Sequence, residues 1–67
     1  MKKRYLDGHE IQKRRKMQKM EISDLARLAR VGKTTIRNIE DGKRTANIEV
    51  VNKLAEALDC DFYDIMT

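Results

Sequence analysis

Residues 22–39 read ISDLARLARVGKTTIRNI, and the spacing of their apolar members decides the fold. Leu25, Ala26 and Ala29 fall at i, i+1 and i+4, which gives one narrow apolar face to a helix over roughly Ile22–Ala29. The small residues on that face let another helix approach closely. After Arg30 and Val31, Gly32 stands where an N-cap belongs, and the next helix runs from Lys33 to about Asp41 with Ile36 and Ile39 turned inward. Apolar residues at 25, 26, 29, 31, 36 and 39 are what two helices crossing steeply through a short turn require. Such a pair is not stable alone, so the rest of the chain must support it.

The flanking sequence is punctuated as helices too. There is no proline, and Leu, Ala, Met, Glu, Lys and Arg dominate, so the intrinsic preference is helical throughout. Asp7 with Glu10 three residues on forms an N-cap signature, Leu6 and Ile11 sit at the spacing of a hydrophobic staple, and the first helix extends to about Gln18. Gly42 ends the third helix. Asn47 caps a fourth, whose Ile48, Val51, Leu54, Ala55 and Leu58 keep a 3.6-residue period. Asp61 caps a last turn or two carrying Phe62, Ile65 and Met66. The prediction is an all-α, five-helix single domain spanning 1–67, with residues 1–6 as a basic arm. A chain of 67 residues buries only about 60% of its unfolded surface, so its stability is modest.

Composition narrows the function. Fifteen basic against eleven acidic residues leave a net charge of +4, with a pI near 9.5; this favours a polyanionic partner. The charge is unevenly spread: eight of the first nineteen residues are Lys or Arg, whereas the last nineteen hold one Lys and five carboxylates. The single cysteine, Cys60, excludes an intramolecular disulfide, suits a reducing compartment and is expected to act as a small buried hydrophobe. No apolar run approaches the roughly 20 residues of a membrane helix, and the expected location is cytoplasmic. His9 falls in the first turn of helix one with no second ligand type nearby, so it is expected to be solvated. Neither a metal site, nor a cofactor, nor a catalytic group is expected.

Within the deciding stretch, Gly32-Lys33-Thr34 copies the end of a nucleotide-binding P-loop. A P-loop, however, needs a further glycine five positions earlier, after a buried strand, so that the backbone can wrap the phosphates. Arg27 stands at that position, within a helical segment, and an all-helical chain supplies no parallel sheet to scaffold the loop. The same atoms suit another use. A short helix capped by glycine, with Lys and two Thr in its first turn, offers unpaired backbone N–H groups, hydroxyls and a cation at one point, a surface for the DNA backbone or base edges.

At this level of detail the chain resembles the phage-repressor and Cro-like, or XRE-type, helix-turn-helix DNA-binding domains. The resemblance runs from about Gly8 to Met66. It rests on Ile11-Gln12-Lys13-Arg14-Arg15-Lys16, Leu25-Ala26, the run from Thr35 to Arg44, and Leu54-Ala55-Glu56-Ala57-Leu58, with the helix-turn-helix at about 22–41. It implies a compact lambda-repressor-like domain whose third helix enters the major groove, usually as a dimer on a palindromic operator. Lys33, Thr34, Arg37 and Asn38 then match base-contacting positions: Lys for guanine, Asn for adenine, Thr for a hydroxyl or methyl contact, and Arg37 for guanine or a phosphate. Lys43 and Arg44 match the phosphate-contacting loop after that helix. Arg15 and Glu40 match a salt bridge between helix one and the end of helix three, although Arg15, one cation among five over 13–19, reads by composition alone as part of a solvated face.

Three positions depart from the family pattern. Lys19 and Arg30 stand where glycine is usual, and if those sites are left-handed each costs on the order of 1 kcal/mol. Ile22 replaces a polar, phosphate-gripping residue, which leaves that task to the backbone N–H groups at the start of helix two, to Lys43 and Arg44, and to the arm of Lys2, Lys3 and Arg4. The function these features imply is a sequence-specific DNA-binding regulator, a repressor acting without catalysis on double-stranded operator DNA. The alternative is an antitoxin or protein-interaction adaptor on the same fold, which would favour aromatic or aliphatic anchors in the first turn of helix three. A weak homodimer, or one formed on DNA, would draw on Phe62, Tyr63, Ile65 and Met66, some of which the core needs.

Overall fold

The computed structural model describes residues 6–43 and 47–66. Their element order is α1 (Gly8–Met17), α2 (Ile22–Ala29), α3 (Lys33–Glu40), α4 (Ile48–Ala57) and a closing 3₁₀ turn (Phe62–Ile65). The five-helix expectation is therefore corrected to four α-helices and one 3₁₀ turn. After its Asp61 N-cap the last segment has only four residues before Met66 turns extended and forms an antiparallel bridge with Leu6. The neighbouring Asp7 N–H donates to the Ile65 carbonyl at 2.8 Å, so the two ends of the described fold are tied together.

The starts of α1 and α4 follow from their capping residues. Asp7 Oδ1 accepts the Glu10 N–H at 3.1 Å, and Asn47 Oδ1 accepts the Val50 N–H at 2.9 Å, each relieving one of the donors a helix start leaves unpaired. The inward faces meet in one core: Ile11 from α1, Leu25, Ala26 and Ala29 from α2, Ile36 and Ile39 from α3, Val51, Leu54, Ala55 and Leu58 from α4 and its end, and Ile65 from the 3₁₀ turn. Val31, in the turn between α2 and α3, packs against the edge of this core. Gln18 adds a polar tie from the end of α1, its side-chain amide donating to the Leu58 carbonyl at 2.8 Å.

All four α-helices end alike. A left-handed residue closes each one, at Lys19 (φ 58), Arg30 (φ 57), Gly42 (φ 74) and Asp59 (φ 56). The N–H of the next residue then reaches the carbonyl five positions back, pairing Met20 with Arg15, Val31 with Ala26, Lys43 with Asn38 and Cys60 with Ala55. Lys19 and Arg30 thus adopt the costly conformation that the sequence made conditional, and Asp59 adds a third such site. Only α3 ends on glycine.

Gly8 has a different reason for lacking a side chain. It is buried where the start of α1 crosses the end of α3, and a Cβ built on it would sit 2.0 Å from the Ile39 carbonyl oxygen and 3.1 Å from the Glu40 Cα. The two backbones touch there.

Candidate nucleic-acid interface

Helix α3 divides cleanly between core and solvent. Ile36 and Ile39 are buried, while Lys33, Thr34 and Arg37 are exposed and Asn38 is half-buried. Lys33 with Arg37, and Thr34 with Asn38, are separated by four residues, so they form two adjacent rows on the outward face. The structure brings these four together on one surface. Lys43 is exposed in the turn that follows Gly42, and Arg44 lies outside the described residues, as do Lys2, Lys3 and Arg4.

The start of α3 is open. Gly32 is its N-cap at φ −64 and ψ 145, and makes no side-chain capping bond. The first turn contains no acidic residue, so the positive end of the helix dipole adds to the Lys33 charge at a surface facing solvent. Together with the Thr34 hydroxyl, this gives a set of donors suited to an anion or to acceptor-rich base edges.

Arg15 fixes this helix against the scaffold. Its Nε donates to Glu40 Oε2 at 2.7 Å and its Nη2 to Glu40 Oε1 at 2.9 Å, a two-point pair whose side chains are only 8% and 2% exposed. Nη1 donates in addition to the Met20 carbonyl at 2.8 Å, just before α2. One guanidinium therefore holds the approach to α2 and the end of α3. The hydrogen bond it donates to the Glu40 carboxylate raises the Arg15 pKa, outweighing the lowering effect of burial.

Two sequence expectations change at this site. The start of α2, expected to offer backbone N–H groups to a phosphate, is occupied by its own acids: Glu21 and Asp24 form a capping box in which the Glu21 N–H donates to Asp24 Oδ2 at 2.8 Å. The box uses the Glu21 and Asp24 N–H groups for the fold and sets negative charge at the helix end, with Asp24 also paired to Arg27. The Glu-x-x-Asp spacing just before an apolar run was the signal that could have revealed it. Among the apolar residues expected at a subunit contact, Ile65 is fully buried and belongs to the core. Phe62 and Met66 are half-buried against that core. Tyr63 is 67% exposed, with its ring set edge-on to Phe62 at 5.3 Å.

The remaining chemistry-bearing residues do not build a second centre. Among the described residues no group of His, Cys, Asp and Glu is placed to hold a metal ion, and no helix is long and apolar enough to cross a membrane. Cys60 is half-buried and its thiol pKa is pushed up by that burial, which keeps it protonated at neutral pH. His9 is exposed.

Comparison with known proteins agrees with this geometry. The fold is similar to the restriction-modification controller protein C.AhdI from Aeromonas hydrophila, at a TM-score of 0.84 and 24% identity over 87% of this chain and 88% of that one. It is also similar to the clp gene regulator ClgR from C. glutamicum, at 0.78 and 21% identity over 87% and 75%. No curated protein sequence matches the chain closely enough to serve as a relative. The helix-turn-helix family model matches residues 11–65, nearly the whole described fold. The chain therefore belongs to the XRE-type helix-turn-helix family.

Proposed function

We propose that the chain is a DNA-binding transcriptional regulator, and in particular a repressor that occupies an operator through the major groove. The observation that carries this is the outward face of α3: Lys33, Thr34, Arg37 and Asn38 line a polar, cationic surface on a helix whose other side is sealed into the core. The similar folds of a controller protein and a gene regulator support the same reading. In this role Lys33 donates to guanine O6 or N7, Asn38 pairs with adenine N6 and N7, and Thr34 offers its hydroxyl or packs on a thymine methyl. Lys43, with Arg44 beyond the described residues, contacts phosphate and positions the protein without reading sequence. Catalysis has no part in this. The face has no aromatic or aliphatic anchor, which disfavours protein interaction as its main use.

A single α3 reads about half a site, so the operator is a palindrome bound by a pair of chains about 34 Å apart. Exposed Tyr63, backed by Phe62 and Met66, is the surface for that weak contact. Light scattering with and without DNA tests it.

The direct test is selection of bound duplexes from a random library, followed by titration of the consensus over a salt series. With about six phosphate contacts the log-log slope is about −5, and a flat response would sink the proposal. Asn38→Ala costs about 1 to 3 kcal/mol on the selected operator and little on random DNA, whereas Lys43→Ala weakens both alike. Equal losses on both DNAs from Asn38→Ala would refute its base-reading role.

A further inference from the structure

The described cations fall into two sets. Lys13, Arg14, Arg15, Arg27 and Lys53 each face a carboxylate. Lys16, Lys19, Arg30, Lys33, Arg37 and Lys43 form no ion pair among the described residues, and three of them, Lys16, Lys33 and Arg37, line one cleft of about 440 Å³ between α1, α2 and α3, beside the paired Arg15. Ile22 and Ser23 form its α2 wall. Three like charges around a single concave space repel one another and focus a positive potential into it, an arrangement relieved by an anion. Glu21 also borders the cleft, but its single charge is held at the α2 capping box and offsets only part of the three.

The position of the cleft indicates which anion. Lys33 and Arg37 belong at once to the cleft and to the outward face of α3, next to Thr34 and Asn38. A duplex held against that face must carry its sugar-phosphate backbone past the cleft. Lys16 approaches from α1, outside the α2–α3 unit, and is exposed. We infer that this cleft seats a phosphodiester of the DNA backbone, with Lys16 and Arg37 donating from opposite walls and the Ser23 hydroxyl as a neutral donor between them. The inference rests on the proposed DNA-binding function and refines it in two ways. Lys16 becomes a phosphate-contacting residue, and Arg37 serves the backbone instead of a guanine, which leaves base reading to Lys33, Thr34 and Asn38. The anchor that Ile22 cannot supply, and that Glu21 and Asp24 oppose, is thereby moved to the other walls of the same cleft.

Because Lys16 is exposed, Lys16→Gln leaves the fold intact and can be tested directly. Binding of wild type, Lys16→Gln, Arg37→Gln and Lys13→Gln to the selected operator and to random duplex is measured over a salt series. The expected result is that Lys16→Gln and Arg37→Gln each weaken both DNAs several-fold and make the salt slope shallower by about one, while Lys13→Gln, which faces Glu10, leaves the slope within error. Glu21→Gln, which removes the opposing charge, tightens both. A wild-type slope in Lys16→Gln beside a shallower one in Lys43→Ala would overturn the cleft assignment and leave the proposed function standing. So would an Arg37→Gln loss confined to the operator, or an equal slope change in Lys13→Gln, the mark of a diffuse field. A flat salt response in wild type would remove the functional reading itself.

Discussion

The two helices of the helix-turn-helix begin in opposite ways. Helix α2 starts on Glu21 with Asp24 in its first turn; the two close a capping box, and Asp24 also pairs with Arg27 at 3.0 Å. Helix α3 starts on Gly32, with no side-chain cap and no acid in its first turn, and presents Lys33 and Thr34 to solvent. Both helix starts carry unpaired N–H groups and the positive end of a dipole. At α2 the chain supplies the negative charge itself, which stabilises the fold and leaves phosphate to the cations across the cleft. At α3 that charge is left to come from outside. Stability and binding are thus assigned to neighbouring helix ends eleven residues apart in sequence, Glu21 and Gly32.

The largest expected effect comes from breaking what holds the two starts in one frame. Glu40→Ala strands Arg15, which also anchors the Met20 carbonyl before α2, and should cost about 3 to 5 kcal/mol, read as a collapse of the thermal melt. Replacing both partners, Arg15→Met with Glu40→Met, should lose less than the single change. Removing the α2 cap with Asp24→Ala should cost about 0.5 to 2 kcal/mol while DNA affinity holds or rises. A loss of affinity beyond the loss of folded protein would show that the α2 acids serve binding after all. Between the two starts, Arg30→Gly relieves a left-handed residue and should add about 0.5 to 1 kcal/mol, net of the greater freedom glycine gains in the unfolded chain. The smallest change in stability belongs to the sharpest exchange: Lys33→Glu gives α3 an acid like those of α2, and should add about 0.3 to 1 kcal/mol while making the salt slope of DNA binding shallower by one or more. If Lys33→Glu left binding unchanged, the contrast between the two starts would have no functional meaning.

The helices themselves were legible in the residues, whereas the acidic start of α2 was not. The caps Asp7 and Asn47, the glycine closing α3 and the apolar spacing from Leu25 to Ile39 placed the helices to within about a residue, because each signal acts over one turn. The Arg15–Glu40 pair came only from the family resemblance, since opposite charges 25 positions apart have no local signature. What stayed hidden depended on elements meeting in space. Lys16 reads as one cation in a solvated run and stays exposed, but its place on a cleft shared with Lys33 and Arg37 emerges only with α1 laid beside α3. Ile65 looked available at a surface until the Leu6–Met66 bridge folded the chain's last turn onto the core. Asp59 gave no warning of its left-handed conformation, which the end of α4 imposes.

Gly8 sets a limit of another kind. Side chains that position a helix can shift among rotamers, but where α1 meets the end of α3 the contact is backbone against backbone, with no torsion left to yield. It acts as a mechanical stop: the outward face of α3 is indexed from a residue that has no side chain and stands 30 positions before Asn38. Gly8→Ala should therefore disturb the placement of α3 as well as lower stability, by about 1 to 3 kcal/mol. In a screen for lost operator preference it would surface among the DNA-facing substitutions although it lies in the interior, marking the calibration of the reading head and not the head itself.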